Sequence, residues 1–302
     1  MLVALFRLFS ILPLPVLHGL GVLLGVLVYA VSPTYRQRLQ NNLKQAGFGA
    51  QLWPAIRESG KSIAELPFVW CAPQARVNRH CQLENPELIR QMQDAGQCVI
   101  FLTPHLGCFE LTAQMIARQI RLTAMYRPPR KAFLRPLIEG ARARANLHLA
   151  PATLAGVRIL ARELKGGHAV GILPDQTPQE GEGVWATFFG RQAYTMTLPA
   201  KLARMSAATF VLTYAERLPW GRGFVVRFVP FGKFPGGEST PGQSGSPQEL
   251  LQQQCRAINA AMEQLIARCP AQYAWSYNRY KTPSGVATPP VSEAPPSHTE
   301  VP

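Results

Sequence analysis

From Leu8 to Val31 the chain carries no formally charged side chain, and only Pro13, Pro15 and His18 interrupt its apolar character. The unbroken part, Val16 to Val31, would form a helix about 24 Å long at about 1.5 Å per residue, slightly short of a hydrocarbon core of roughly 30 Å. The pattern predicts a membrane helix that either crosses with help from residues 5–15 or lies in one leaflet. A cleaved signal peptide is the competing reading. Arg7 is the only basic residue before the run and no convincing A-x-A site follows it, which favours an anchor. Arg36, Arg38 and Lys44 come directly afterwards, and this positive flank predicts that the rest of the chain lies in the cytoplasm.

Beyond the anchor the apolar runs become short and regularly interrupted. Runs near 97–103, 121–127, 168–173, 208–215 and 223–230 predict strands of a covered sheet. Helical spacing and composition fill 51–72, 110–119, 130–146, 153–166, 195–206 and 248–268. Such alternation predicts an α/β fold, a single-domain sandwich with a largely parallel or mixed central sheet. No linker divides the middle, so the expected organisation is an anchor over 1–31, one domain over 32–282 and a tail over 283–302. The tail is rich in Pro, Ser, Thr and Glu and cannot bury enough apolar surface to offset its ordering entropy, so it is expected to be disordered. Gly236 to Pro247 has the composition of a loop joining the last strand to the C-terminal helix.

Charge narrows the choice of partners. The 31 basic and 17 acidic side chains give a formal charge of +14, a field that attracts nucleic acid, anionic lipid or an acidic carrier protein. Zinc-finger spacing, an aromatic RNA-binding block and an evident recognition helix are all missing, which argues against nucleic acid. Arg127, Arg130, Lys131, Arg135, Arg142 and Arg144 recur beside apolar residues, as a protein next to anionic lipid requires and as a solvated helix face also would. The six cysteines, at 71, 81, 98, 108, 255 and 269, form no C-x-x-C pair and have no metal spacing. They are expected to be reduced packing residues, and no metal or redox cofactor is indicated.

The candidate chemistry lies in His105-Leu-Gly-Cys-Phe-Glu110. Gln97 to Thr103 predicts a strand that Pro104 stops, Gly107 permits a tight bend, and Glu110 lies in or near the first turn of the next helix. His105 is thereby placed at the carboxyl edge of a sheet, where open α/β folds bind ligands. A capping or packing role for both residues is the plainer alternative. Cys108 is a weaker candidate, since a thiol nucleophile would need a lowered pKa and hydrogen-bond reach to the imidazole.

Several blocks together resemble the lysophospholipid acyltransferase-like superfamily, whose signature is H-x-x-x-x-D/E, and within it the lipid A biosynthesis acyltransferases. They are Arg38-Leu-Gln-Asn-Asn-Leu43, the His105 to Glu110 segment, Tyr126-Arg-Pro128, Leu164-Lys-Gly-Gly167, Pro174-Asp-Gln176, Phe188-Phe-Gly190 and Gln272 to Thr282. The resemblance covers roughly residues 35–283. It implies an O-acyltransferase that moves a fatty acyl chain from an acyl carrier protein thioester to a hydroxyl of a lipid A precursor at the inner membrane.

In that chemistry His105 is the expected general base and Glu110 the group that orients its ring, as the acid of a serine triad does. No acyl-enzyme is required, because the thiolate is already a good leaving group. Backbone N–H groups near Leu106, Gly107 and Cys108, or the guanidinium of Arg127, are candidates to meet the oxyanion. Arg127 is also a candidate for an acceptor phosphate or a structural ion pair. Asp175 and Gln176 end a neighbouring strand and are expected to face the acceptor, with turn formation after Pro174 as the alternative. Trp185, Phe188 and Phe189 either line an acyl groove or are plain core. Tyr277-Asn278-Arg279-Tyr280 stands where relatives commonly show His-Arg-Arg-Phe, which leaves Arg279 a weak phosphate candidate.

Two rivals remain at this level. One is acylation of a lysophospholipid or another lipid, disfavoured because Asp175-Gln-Thr177 replaces the Glu-Gly-Thr of glycerophospholipid enzymes. The other is a basic, non-catalytic membrane-binding protein in which His105 and Glu110 merely cap a helix.

Overall fold

The computed structural model describes residues 2–129, 135–142, 145–236 and 246–289. Arg130, Lys131, Arg144, most of the loop expected at 236–247 and the distal tail lie outside the described residues.

A seven-stranded mixed sheet forms the centre, in the order β1 (Cys81–Glu84), β9 (Phe224–Pro230), β8 (Thr209–Arg217), β2 (Val99–Leu102), β5 (Ala169–Ile172), β3 (Leu122–Tyr126) and β4 (Leu147–Pro151). Every neighbouring pair is parallel except β8 with β9. The five expected strands are all present. β2 is buried at every residue, as its unbroken Val99-Ile-Phe-Leu102 run requires. β1 and β4 are additions: polar residues alternate through Cys81-Gln-Leu-Glu84, and Leu147-His-Leu-Ala-Pro151 follows directly on the stretch expected to be helical to residue 146.

Helices cover both faces of this sheet. One core layer contains Ile100, Leu102, Leu160, Leu164, Ile258 and Leu265, and the other contains Phe101, Leu111, Met115, Val211 and Phe228. The helices that matter for the site are α8 (Phe109–Ala117), α9 (Arg135–Arg142), α10 (Leu154–Lys165) and α12 (Pro247–Arg268). Ser246 opens α12 with a reciprocal capping box to Glu249, which satisfies donors the first turn leaves orphaned.

A separate antiparallel hairpin, β6 (Gly183–Phe188) and β7 (Arg191–Met196), was not expected from the sequence. Its two-residue turn is Phe189-Gly190, with φ of 46° and 74°. Both residues are in the left-handed region that tight hairpins demand. Phe189 tolerates it because its ring packs on Phe48 and Trp275 while its N–H donates to Glu263 at 2.9 Å. Phe188 is buried and Trp185 donates its indole N–H to the Ala287 carbonyl, so these aromatics build hairpin and core. None of them lines the cavity beside His105.

The N-terminal apolar segment is two helices, α1 (Leu2–Ser10) and α2 (Leu14–Val31), and α2 has the length and hydropathy of a membrane span. It is followed by α3 (Pro33–Gln45), α4 (Leu52–Ala64), α5 (Leu66–Cys71), α6 (Gln74–Arg79) and α7 (Glu87–Asp94), while α11 (Leu198–Ser206) precedes β8.

Candidate active site

His105 owes its position to strand register. Leu102 of β2 pairs with Ile172 of β5, and the two chains leave the sheet side by side. The Thr103 N–H still donates to the Ile172 carbonyl at 3.1 Å. His105 and Asp175 therefore face one another in adjacent loops. The His105 backbone N–H donates to Asp175 Oδ2 at 2.8 Å, and ring Nδ1 lies 2.8 Å from Oδ1.

This double contact fixes the imidazole. With Nδ1–H donating to the carboxylate, Nε2 carries the lone pair, and the Gln176 amide group donates to it at 3.1 Å. Phe109 holds the ring from the side, with centroids 4.8 Å apart. Burial pushes the imidazole pKa down, but the charge and hydrogen bond of Asp175 outweigh it and the net direction is up. Burial likewise pushes Asp175 up, and the charge and hydrogen bonds of His105 bring the carboxyl below its ordinary value. A buried carboxylate against a partly exposed imidazole is the arrangement that sets a tautomer and stabilises an imidazolium.

Glu110 lies in the first turn of α8, as expected, but it does not hold the imidazole. Its carboxylate takes a two-pronged ion pair from Arg142 of α9, in which Nε lies 3.0 Å from Oε2, and accepts the Trp70 indole N–H at 3.2 Å. The ring-orienting contact assigned to Glu110 in the sequence belongs to Asp175. The spacing from 105 to 110 brings the carboxylate close enough for its field to raise the His105 pKa. The reach of the guanidinium turns the carboxylate's hydrogen bonds elsewhere.

The loop between His105 and α8 is tightly tied. Leu106 donates to Pro104 O, Gly107 to Gln272 O at 3.0 Å and Cys108 to Ala215 O at 2.8 Å. These three N–H groups are therefore committed to the scaffold and do not form an oxyanion hole, contrary to the expectation from sequence. Gly107 sits at φ 60°, and a methyl group there would overlap the Ala215 carbonyl oxygen. Burial raises the Cys108 thiol well above its ordinary pKa, the opposite of the shift a thiol nucleophile needs.

Distant segments close around this loop. The Ala274 N–H donates to the His105 carbonyl, the Tyr277 hydroxyl accepts the Thr177 N–H, and Asn42 of α3 donates to the carbonyls of Trp275 and Tyr277. Arg279 is buried and spends its guanidinium on Tyr194 O at 2.7 Å and Thr195 Oγ1 at 2.8 Å, so it is scaffold rather than a phosphate contact. The first and last of the quoted blocks, through Asn42 and through Gln272, Ala274 and Tyr277, thus brace the two loops that hold His105 and Asp175.

His105 opens into a cavity of about 620 Å³. Ala124, Met125, Leu147, Leu149, Val157 and Leu198 make an apolar wall, while Arg127, Arg142 and Lys201 bring positive charge. Gln176 lines it beside His105, whereas Asp175 stands behind the ring, out of contact with the cavity. Arg127, an expected contact, is exposed at this cavity. Among the described residues no group of three or more His, Cys, Asp or Glu side chains gathers as a metal site.

A family model described as bacterial lipid A biosynthesis acyltransferase matches residues 1–282. The lipid A biosynthesis lauroyltransferase of Escherichia coli (strain K12) is 26% identical over 290 residues, covering 91% of this chain and 89% of that protein. The lipid A biosynthesis palmitoleoyltransferase of the same organism is 25% identical over 228 residues, covering 75% of this chain and 70% of that protein. A lipid A biosynthesis acyltransferase of Shigella flexneri matches to the same extent.

Proposed function

Because the chain belongs to the bacterial lipid A biosynthesis acyltransferase family, we propose that it transfers a fatty acyl group from an acyl carrier protein thioester to a free hydroxyl of a lipid A precursor, with His105 as general base. The observation that carries this reading is the Asp175–His105–Gln176 arrangement at the wall of a largely apolar cavity that also presents Arg127 and Lys201. A non-catalytic membrane binder has no use for an imidazole held in one tautomer beside an opening of that size.

The acceptor hydroxyl displaces the Gln176 amide from His105 Nε2 and gives its proton to that nitrogen. Its oxygen attacks the thioester carbonyl, forming a C–O bond as the carbonyl becomes an oxyanion. Asp175 stabilises the imidazolium that results. Gln176, freed from Nε2, turns its N–H groups to the oxyanion, a role the committed N–H groups of Gly107 and Cys108 cannot take. Collapse breaks the C–S bond, and the imidazolium returns its proton to the departing thiolate.

Arg127 and Lys201 suit the phosphates of an anionic acceptor, and the apolar wall suits an acyl chain. Glu110 keeps Arg142 in place at the cavity wall. The formal charge of +14 suits an acidic carrier protein as donor, and Arg36, Arg38 and Lys44 after the apolar helix favour the cytoplasmic face of the inner membrane.

Mass spectrometry of lipid A from a bacterium lacking its own secondary acyltransferase, expressing this protein or its His105→Ala form, tests the reading. One added acyl mass with the unmodified protein alone supports it and reports the chain length. Unchanged lipid A with a folded, membrane-bound protein overturns the assigned acceptor.

A further inference from the structure

The apolar helix α2 is fastened to the catalytic domain along its whole length. At its start, Arg76 donates to Ser10 O at 2.6 Å and Leu12 O at 2.8 Å, Leu14 and Leu17 are buried, and Gly221 lies so close to Pro15 that a methyl group would overlap it. In the middle, His18 Nε2 meets Glu65 Oε2 at 3.1 Å, and Gly21 and Gly25 pack directly on Gly60 of α4. No side chain larger than hydrogen fits between those backbones. At its end, Arg36 donates to Tyr29 O and Ala30 O, and the Tyr29 ring lies 6.1 Å from Trp53.

A helix held this way cannot cross a bilayer without pulling Glu58, Glu65 and Arg217, which are joined to it through α4 and His18, into hydrocarbon. Yet its other face is bare. Apart from Leu154 and Met205, every exposed large apolar side chain among the described residues belongs to α1, α2, the short link between them, α4 or the turn packed against Pro15. Trp53 stands at one end of α2, and Trp220, 86% exposed at φ 60°, stands at the other. Exposed tryptophans mark a membrane–water boundary. Residues 1–57 contain Arg7, Arg36, Arg38, Lys44 and Arg57 and no acidic residue, so the segment that carries α1 and α2 has formal charge of one sign.

We propose that the protein is monotopic: α1 and α2 lie in one anionic leaflet while still docked on the catalytic domain, and Trp53 and Trp220 enter that leaflet together. The inference does not depend on the acyl acceptor or on His105.

The full chain with an N-terminal epitope tag is expressed in cells and digested in two preparations. The tag should be cleaved in inverted inner-membrane vesicles and survive in intact spheroplasts; the opposite result means that α2 spans. Purified protein is then added to phosphatidylethanolamine vesicles containing either brominated phosphatidylglycerol or brominated phosphatidylcholine. The fluorescence lost in a Trp220→Phe variant should be quenchable in the anionic vesicles, with binding at least 10-fold tighter than to the neutral ones. A Leu23→Glu, Leu27→Glu variant should keep its thermal midpoint and lose at least 10-fold in binding. An unquenched Trp220, or equal binding by that variant, overturns the seat. Neither readout uses acyl transfer, so an inactive enzyme can pass and an active one can fail.

Discussion

Asp175 grips His105 twice, accepting its backbone N–H on one carboxylate oxygen and its ring N–H on the other, both at 2.8 Å. One side chain therefore sets both where the loop runs and which way the imidazole faces. A neutral amide at the same place would donate to Nδ1 and put the proton on Nε2, where a base needs its lone pair. Asp175→Asn should lose about 10³-fold or more in turnover with an unchanged thermal midpoint, by analogy with the tautomer effect in serine triads. Glu110→Gln, which keeps the shape but weakens the Arg142 pair, should lose less. Steady-state rates of both variants decide the order, and an active Asp175→Asn enzyme would sink the assignment.

The pH profile carries the same signature. A general base must be neutral, and the pKa of His105 is raised above its ordinary 6.5. The acid limb of kcat/KM should therefore rise through a midpoint above 6.5. Removing the charge at 175 shifts that midpoint downward in whatever activity remains. A limb unmoved in Asp175→Asn would mean that another group titrates there.

Gln176 is assigned to the oxyanion only after it leaves Nε2. Gln176→Ala should lower kcat by about 10²- to 10³-fold, the usual cost of one positioned donor, with KM for either substrate changed little. A change confined to KM would make it a binding residue instead.

Cys108 gives a contrasting expectation. Its thiol is buried and its pKa is pushed up, so Cys108→Ala should turn over within a few fold of the unmodified enzyme, and thiol alkylation in the folded state should leave activity intact. Strong inactivation at this cysteine would reopen a covalent route.

Away from the site, Arg217 is the fixed point of a buried charge cluster, with Nε and Nη2 on Glu65 and Nη1 on Glu58, each at 2.6 Å. Burial pushes the Glu65 carboxyl up, and the charge and hydrogen bonds of Arg217, with help from His18, bring it down to about 2. Because the folded pKa is depressed, the stability it contributes is present above the ordinary value of 4.5 and lost as pH falls from there toward 2. Arg217→Met leaves Glu65 buried with only His18 beside it and should cost about 3–5 kcal/mol at neutral pH. Thermal melts at pH 7 and pH 5 should show that deficit shrinking on the acid side, where the carboxyl that has lost its guanidinium can take a proton.

The sequence was informative wherever a local rule acted. The apolar run before Pro104 announced β2, and the bend at Gly107 announced a site at its carboxyl edge. Asp175 was visible as a sheet-edge residue, but its pairing with His105 follows from the register of Leu102 against Ile172, which no local spacing encodes. Glu110 lacks the imidazole contact expected of it for the complementary reason. Its partner, Arg142, approaches from α9, and a guanidinium competes well for a carboxylate. The hairpin β6–β7 escaped notice because its turn is Phe189-Gly190, where an aromatic residue occupies a conformation usually left to Asn, Asp or Gly.

The contacts of Gln272 and Ala274 also set an order in time. When the ribosome has completed β9, every strand of the central sheet exists, yet the Gly107 N–H has no acceptor and the His105 carbonyl has no donor. Both partners are made more than forty residues later, at the far end of α12. A nascent or prematurely terminated chain thus contains α1, α2 and the whole central sheet while the loop that bears His105 is still unbraced. A chain that stops short of Gln272 therefore lacks both hydrogen bonds that brace the loop bearing His105.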